Sequence, residues 1–337
     1  MAAPFFSFVI PVFNRPNEIS ELLTSMLNLS GETTFEVVVV EDGSSETSEA
    51  VINSFHKQLN ITYLIKSNTG PGDSRNYGMM RAKGDYFIIL DSDVILPKQY
   101  LREVEIGLKE NHADCFGGPD AAHSSFSKLQ KAINFAMTSI LTTGGIRGGV
   151  LSKRTFQPRS FNMGLSRIAF EASGGFGRIH PGEDPDLVMR LLKLGFKTVL
   201  FSKAFVYHKR RVSWSKFYTQ VNRFGKVRPI LNLRHPESKR LTYWFPSCYL
   251  LGVVFSFVMI AFGYWWFLAL LGVYQFLLFV VALIRNSSFS IGAMAVVAAN
   301  IQFYGYGFGF LFSTVKLALS SKAPEELFPD RFFKLLP

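Results

Sequence analysis

The chain has 337 residues, room for one large domain or two smaller ones, and 48% of them are hydrophobic. Its formal net charge of +11 is concentrated between Lys197 and Arg240, where twelve Lys/Arg face one acidic residue, Glu237, leaving the remainder nearly balanced. Two cysteines, Cys115 and Cys248, exclude a disulfide framework and a cysteine zinc site, and no nucleic-acid-binding module accompanies the basic stretch, so no nucleic-acid partner is expected.

The N-terminus lacks a basic region, and Pro4 and Pro11 interrupt its short apolar run, so a signal peptide is not expected. The run from Phe6 to Val12 predicts a first strand, and Phe13-Asn14-Arg15-Pro16 ends it. From Glu18 to Leu29 the apolar residues Ile19, Leu22, Leu23, Met26 and Leu27 have helical spacing. A second buried strand runs from Phe35 to Val40 and closes on Glu41-Asp42-Gly43-Ser44-Ser45; after another helical segment, Ile61 to Ile65 predicts a third. A Gly/Pro-rich loop from Asn68 leads to Tyr86-Phe87-Ile88-Ile89-Leu90, apolar on both faces and followed at once by Asp91-Ser92-Asp93. Such a run predicts a strand covered by helices on both sides, and strand–helix alternation predicts a doubly wound α/β domain. Ligands of these sheets gather at the carboxyl ends of the strands. Two carboxylates one residue apart at that edge suit a divalent cation, although Asp also starts turns and caps helices.

The dinucleotide fingerprint Gly-x-Gly-x-x-Gly and the Gly-x-x-x-x-Gly-Lys-Ser/Thr phosphate loop are both missing, which counts against a dehydrogenase or an ATPase. Further on, His180-Pro181-Gly182-Glu183-Asp184-Pro185-Asp186 precedes a helical pattern at Leu187, Met189, Arg190 and Leu191; acidic residues favour a first helical turn on their own account. From Ser213 to Leu233 the residues Trp214, Phe217, Tyr218, Val221 and Phe224 share a helical face, which fits packing on the domain or a basic amphipathic helix at a membrane surface. Forty residues from Phe245 to Ile284 and thirty from Asn286 to Val315 carry no charge. A crossing takes roughly 20 residues, so three membrane spans are expected, near 246–263, 264–284 and 291–315. The basic stretch before them puts the preceding domain on the cytoplasmic side of the inner membrane. Lys316, Lys322, Arg331 and Lys334 favour the same side for the tail, in conflict with three crossings unless the third segment is re-entrant. Leu327, Phe328, Phe332, Phe333 and Leu335 in that tail suggest that it rests on the bilayer surface.

The series Val-Ile-Pro-Val-Phe-Asn-Arg, Val-Val-Val-Glu-Asp-Gly-Ser, Ser-Arg-Asn-Tyr-Gly and Leu-Asp-Ser-Asp resembles the family 2 glycosyltransferases of the GT-A fold. The likeness continues through Phe161-Asn162-Met163-Gly164, Gly174-Gly175-Phe176, Gly182-Glu183-Asp184 and Val206-Tyr207-His208, about the first 230 residues. It implies an inverting transfer from a nucleotide-diphosphate sugar, with a UDP-sugar expected as donor. It further implies that Pro11, Phe13 and Asn14 line the nucleotide pocket, that Asp42 recognises the base, and that Arg75 lies close to the diphosphate. Asp91, Ser92 and Asp93 would flank the ribose and diphosphate, with Mg2+ or Mn2+ held by Asp93 and His208. Asp184 corresponds to the catalytic base, with Glu183 as the alternate. The expected organisation is a GT-A catalytic domain at 1–211, an interfacial segment at 212–244, transmembrane helices at 245–319 and a tail at 320–337. With spans following the domain, the acceptor is expected to be a lipid-linked or other membrane-associated glycan. Gln220-Val-Asn-Arg223-Phe224 resembles the Gln-x-x-Arg-Trp motif of processive polysaccharide synthases, with Phe in place of Trp. Such a synthase, and a non-catalytic nucleotide-sugar-binding scaffold, are the alternatives.

Overall fold

The computed structural model describes residues 5–144, 157–209 and 212–333, which divide into two compact units. The first comprises residues 5–121, 157–208 and 332–333, and the second residues 122–144, 209 and 212–331.

In the first unit the chain runs β1 (Phe6–Val12), α1 (Pro16–Met26), β2 (Phe35–Asp42), α2 (Glu49–Phe55), β3 (Ile61–Lys66), α3 (Pro71–Arg81) and β4 (Tyr86–Leu90). It continues through β5 (Val94–Ile95), α4 (Tyr100–Glu110), β6 (Cys115–Gly117) and β7 (Asp120–Ala121). After α5 (Lys128–Thr138) and α6 (Ile140–Thr143), which belong to the second unit, come β8 (Asn162–Ser166), α7 (Arg167–Ser173), α8 (Glu183–Lys193), β9 (Thr198–Leu200) and β10 (Val206–His208). The main sheet has the order β3-β2-β1-β4-β8-β6-β9, with β8 antiparallel to both neighbours. A second sheet, β5-β10-β7, has three strands.

Residues of the central strands alternate between two cores, as the period of two requires. Phe8, Ile10, Val37, Val39, Ile88 and Leu90 pack with Ile19, Leu22 and Tyr100 on one face. Val9, Val38, Val40, Phe87 and Ile89 pack with Met79, Leu187 and Leu191 on the other. Each such side chain contributes roughly 1.5–3 kcal/mol on burial, which is why the apolar runs predict the sheet so directly.

The second unit holds α5 and α6 with α9 (Trp214–Arg234), α10 (Phe245–Ile260), α11 (Trp266–Asn286), α12 (Phe289–Ala318) and α13 (Pro324–Leu327). Three of its helical segments, Leu241–Ile260, Trp266–Asn286 and Phe289–Ala318, are long and apolar enough to cross a membrane. They differ in setting: 50% of the α12 window is buried within the protein, against 17% and 11% for the other two. The third apolar segment is one continuous helix, and its small residues face α9. A Cβ on Gly305 would meet Val221, and one on Gly309 would lie 2.4 Å from the Asn222 carbonyl. Asn222 Nδ2 donates to the Gly305 carbonyl at 3.0 Å. Much of the apolar face of α9 packs inside the helical unit, with Phe217 and Val221 beside Ala295, Ala298 and Phe303, while Tyr218 is exposed. Tyr249, Gln275 and Asn300 close a hydrogen-bonded triad across α10, α11 and α12, which satisfies their polar groups in an apolar setting.

Two boundaries differ from those expected. Residues 122–144 group with the helices because Ile133, Ala136 and Met137 of α5 are buried against Leu278, Ala282 and Ala295. Phe332 and Phe333 group with the first unit. Phe332 bridges to Ile179, the Phe333 N–H donates to the Arg178 carbonyl at 3.0 Å, and Arg178 Nε donates back to the Phe333 carbonyl at 2.8 Å.

Candidate active site

The site residues sit at the carboxyl edge of the main sheet in the first unit. Parallel pairing of β4 with β1 and of β1 with β2 brings Asp91, the Phe13–Arg15 turn and Asp42 to one edge. The short β5 follows Asp93 and pairs antiparallel with β10, His208 opposite Val94, so His208 comes beside Asp93 across 115 residues of sequence. Ligand atoms of Asp91, Asp93 and His208 lie within 4.8 Å of one another. His208 Nε2 is 3.2 Å from Asp93 Oδ1, and Arg15 Nη1 contacts Asp93 Oδ2. Burial alone pushes the Asp93 carboxyl up, but His208 and Arg15 outweigh it and hold the group well below the usual carboxylate range. Two carboxylates and one imidazole make an oxygen-rich donor set that fits Mg2+ or Mn2+.

Arg75, on α3, joins the two acidic motifs. Its Nη2 donates to Asp91 Oδ1 at 2.7 Å, its Nη1 donates to Glu183 Oε1 at 3.1 Å, and its side chain is 3% exposed. The neighbouring Asn76 clamps Phe176, donating to its carbonyl at 2.9 Å and accepting from its N–H at 2.8 Å, while the Phe176 ring lies under the Arg75 guanidinium. Burial lowers and the two carboxylates raise the Arg75 pKa, with a net rise, so the guanidinium stays charged.

Glu183 and Asp184 begin α8, after Gly182 at φ +119, a conformation that favours glycine. Their surroundings separate them. Glu183 is buried, accepts from Arg75 and the Gly182 N–H, and has His180 Nδ1 at 3.2 Å. Burial raises its pKa, and His180, Arg75 and the backbone bond override that, holding it at about 2. A carboxylate held so low is a poor proton acceptor near neutral pH. Asp184 is 17% exposed and has Arg159 Nη1 at 3.7 Å.

The remaining expected residues split into structural subsets. Asp42 is nearly buried, and its Oδ1 accepts from Lys66 Nζ and the Thr69 N–H while Oδ2 accepts from the Gly70 N–H, each at 3.0 Å. One lone pair on Oδ2 is left for a base N–H. Glu41, its neighbour, accepts from Ser44, the Ser48 N–H and Tyr63 Oη and so braces the turn. Asn14 also braces: its Oδ1 accepts from the Ser45 and Glu46 N–H groups. Pro11 is half-buried, Phe13 is 48% exposed at the strand end, and Ser92 is buried between the two aspartates. Arg15, Lys66, His180 and Asp120 had no role assigned from sequence. Arg15 stands within the first motif, and His180 precedes the Gly-Glu-Asp motif, so position alone could have nominated both. Asp120 follows Gly117-Gly118-Pro119, and no spacing relates it to His208; its carboxylate lies 3.6 Å from His208 Nδ1.

The chain is similar to known glycosyltransferases. The family described as Glycosyl transferase family 2 matches residues 7–171. An uncharacterized glycosyltransferase of Rickettsia bellii is 31% identical over 147 residues, covering 44% of this chain and 20% of that protein. The poly(ribitol-phosphate) beta-N-acetylglucosaminyltransferase TarS of Staphylococcus aureus is 32% identical over 112 residues, covering 32% of this chain and 20% of that one. The chain therefore spans about a fifth of the length of these relatives. A mannosyltransferase of Pyrobaculum calidifontis, solved with GDP-Man and Mn2+, shares the fold with a TM-score of 0.59 at 15% identity, covering 89% of this chain and 87% of that one.

Proposed function

We propose, from the premise that this chain carries a family 2 glycosyl transferase domain over residues 7–171, that it transfers a sugar from a UDP-sugar to a membrane-associated, lipid-linked glycan acceptor with inversion. The observation that carries this reading is the convergence on Arg75 of Asp91 and Glu183, which joins the Asp-Ser-Asp and Gly-Glu-Asp motifs in one site beside His208.

In the reaction, the acceptor hydroxyl oxygen attacks the anomeric carbon while the bond from that carbon to the diphosphate oxygen breaks. Asp184 takes the hydroxyl proton, and the nucleoside diphosphate leaves with the bonding electron pair. Asp184 fits the base better than Glu183, whose carboxylate is committed to Arg75 and the Gly182 N–H. A divalent cation held by Asp91, Asp93 and His208 would offset negative charge on the diphosphate. Arg75, fixed by its two carboxylates, adds preorganised positive potential at the same edge. Asp42 offers Oδ2 to the imide N–H of uracil, and the Phe13 ring stands exposed at the same edge. The acceptor class is supported by the three apolar helices and by relatives in Staphylococcus aureus and Bacillus spizizenii named as poly(ribitol-phosphate) glycosyltransferases.

The test is to incubate the purified full chain with a panel of nucleotide sugars and measure released nucleoside diphosphate, with Asp184→Asn alongside. We expect preference for one UDP-sugar, and a loss of roughly a hundredfold or more in Asp184→Asn with donor affinity unchanged. Absence of release or transfer with every donor and lipid extract overturns the reading, and parental turnover in Asp184→Asn removes the base.

A further inference from the structure

The cation site contains a carboxylate that its motifs do not include. β7 and β10 pair in parallel, Val206 opposite Asp120 and Tyr207 opposite Ala121, and this sets Asp120 on the far side of His208 from Asp93. The imidazole is therefore held between carboxylates from two different segments: Nε2 is 3.2 Å from Asp93 Oδ1, and Nδ1 is 3.6 Å from Asp120 Oδ2. The Asp120 side chain is 0% exposed, against 11% for Asp93 and 14% for His208. A fully buried carboxylate is costly unless it is paired, and the imidazole is a partner within reach. Phe161, 7% exposed, lies with its ring 4.8 Å from that of His208 and packs against it.

We propose that Asp120 is a positioning residue, which holds the His208 imidazole with the proton on Nδ1 and the lone pair of Nε2 aimed at the cation. This rests on the reading of His208 as a cation ligand. A neutral imidazole has one N–H and one lone pair, on opposite sides of the ring. If Asp120 accepts the Nδ1 proton, Nε2 is left as the donor atom, on the side of Asp91 and Asp93. The alternative tautomer would point an N–H at the cation and a lone pair at a carboxylate, which is unfavourable at both ends. Closing the 3.6 Å contact to a hydrogen bond takes an approach of roughly half an ångström. Ligating histidines are commonly oriented by such a carboxylate, and its loss typically costs about 10–100-fold in metal affinity.

Two features of the fold keep Asp120 in place. The Val206 N–H donates to the Pro119 carbonyl at 3.1 Å, and the Phe201 N–H to the Gly117 carbonyl at 2.9 Å, so the stretch leading into Asp120 is tied at two points to the segment that carries His208. Asn162 Nδ2 donates to the Ala204 carbonyl at 2.8 Å and anchors the same segment from β8.

The experiment measures Mn2+ affinity of the detergent-purified full chain by calorimetry, with and without UDP. The proteins are the parent, Asp120→Ala, Asp120→Asn, His208→Ala and the Asp120→Ala/His208→Ala pair. Thermal unfolding is followed in each. We expect Asp120→Ala to weaken Mn2+ binding about 10–100-fold and Asp120→Asn, whose amide oxygen still accepts the Nδ1 proton, to recover much of it. In the His208→Ala background, removing Asp120 should change affinity by less than about twofold, because additivity fails only for coupled partners. An equal loss in both backgrounds, or no loss in the parent background, overturns the proposal. Absence of Mn2+ and Mg2+ binding by the well-folded parent instead refutes the cation site itself, and the role of Asp120 with it.

Discussion

Replacing Arg75 by Met should separate its electrostatic part from its bulk. The guanidinium is 3% exposed and bonds both Asp91 and Glu183, so the substitution leaves Glu183 buried with only His180 and the Gly182 N–H. In the folded parent the Glu183 pKa falls from 4.5 to about 2, in spite of burial, and at roughly 1.4 kcal/mol per unit its partners together stabilise the fold by about 3 kcal/mol. Breaking a buried pair costs about 3–5 kcal/mol, but Asp91 is 31% exposed and His180 remains, so a loss of about 2–3 kcal/mol is expected. For a unit of this size that is a fall in Tm of roughly 4–12 °C. The sign with pH follows from the lowered folded value. Stabilisation from Glu183 is complete above about pH 4.5 and is lost as pH falls through about 2, so the gap between parent and Arg75→Met should narrow across that window. Thermal melts in detergent between pH 7 and pH 3 measure it, together with Arg75→Met/Glu183→Gln, which removes the stranded carboxylate and should regain part of the loss. A gap that stays constant down to pH 3, or a double variant less stable than the sum of the singles, would refute the assignment of Arg75 as the counterion of Glu183.

The other predictions concern the cation and the helical unit. Asp93→Asn should lower Mn2+ affinity by at least about tenfold while leaving the melt of the fold near parental, and calorimetry giving parental affinity would contradict it. Gly309→Val puts a branched side chain where a Cβ already lies 2.4 Å from the Asn222 carbonyl; a destabilisation of about 1–3 kcal/mol is expected in detergent melts, and an unchanged melt would mean that α9 and α12 are not locked there. The chain leaves the first unit after His208 and groups with it again at Phe332, which bridges to Ile179. That return predicts an even number of crossings among the three apolar helices, and a cysteine placed at Ser321 should be protected from an impermeant reagent in sealed cells in which the first unit is inside. Its labelling there would contradict the return of Phe332 to Ile179.

What the sequence made legible follows from how locally each feature is encoded. The strands at Phe6, Phe35 and Tyr86 could be read because both faces of each are buried, so every residue of the run carries the same signal. Asp91 and Asp93 could be read because a turn at the end of such a strand puts both at the ligand edge. Arg75 and Asp184 carried no local signal and came only from motif order. The residues that escaped are those whose partners lie far along the chain. Asp120 meets His208 across 88 residues, and Phe333 meets Arg178 across 155. Neither contact leaves a period or a spacing, since each depends on where a short strand or tail happens to return. The motif at Asn162 makes the same point from the other side. It was quoted only as part of a family pattern, yet its amide is fully buried, accepts from Tyr100 Oη at 2.7 Å and donates to the Ala204 carbonyl at 2.8 Å. Its work is to hold the strand that delivers His208 to Asp93. A family pattern can thus include residues whose contacts are those of the framework, and the sequence alone does not separate these from the residues proposed to act in the reaction.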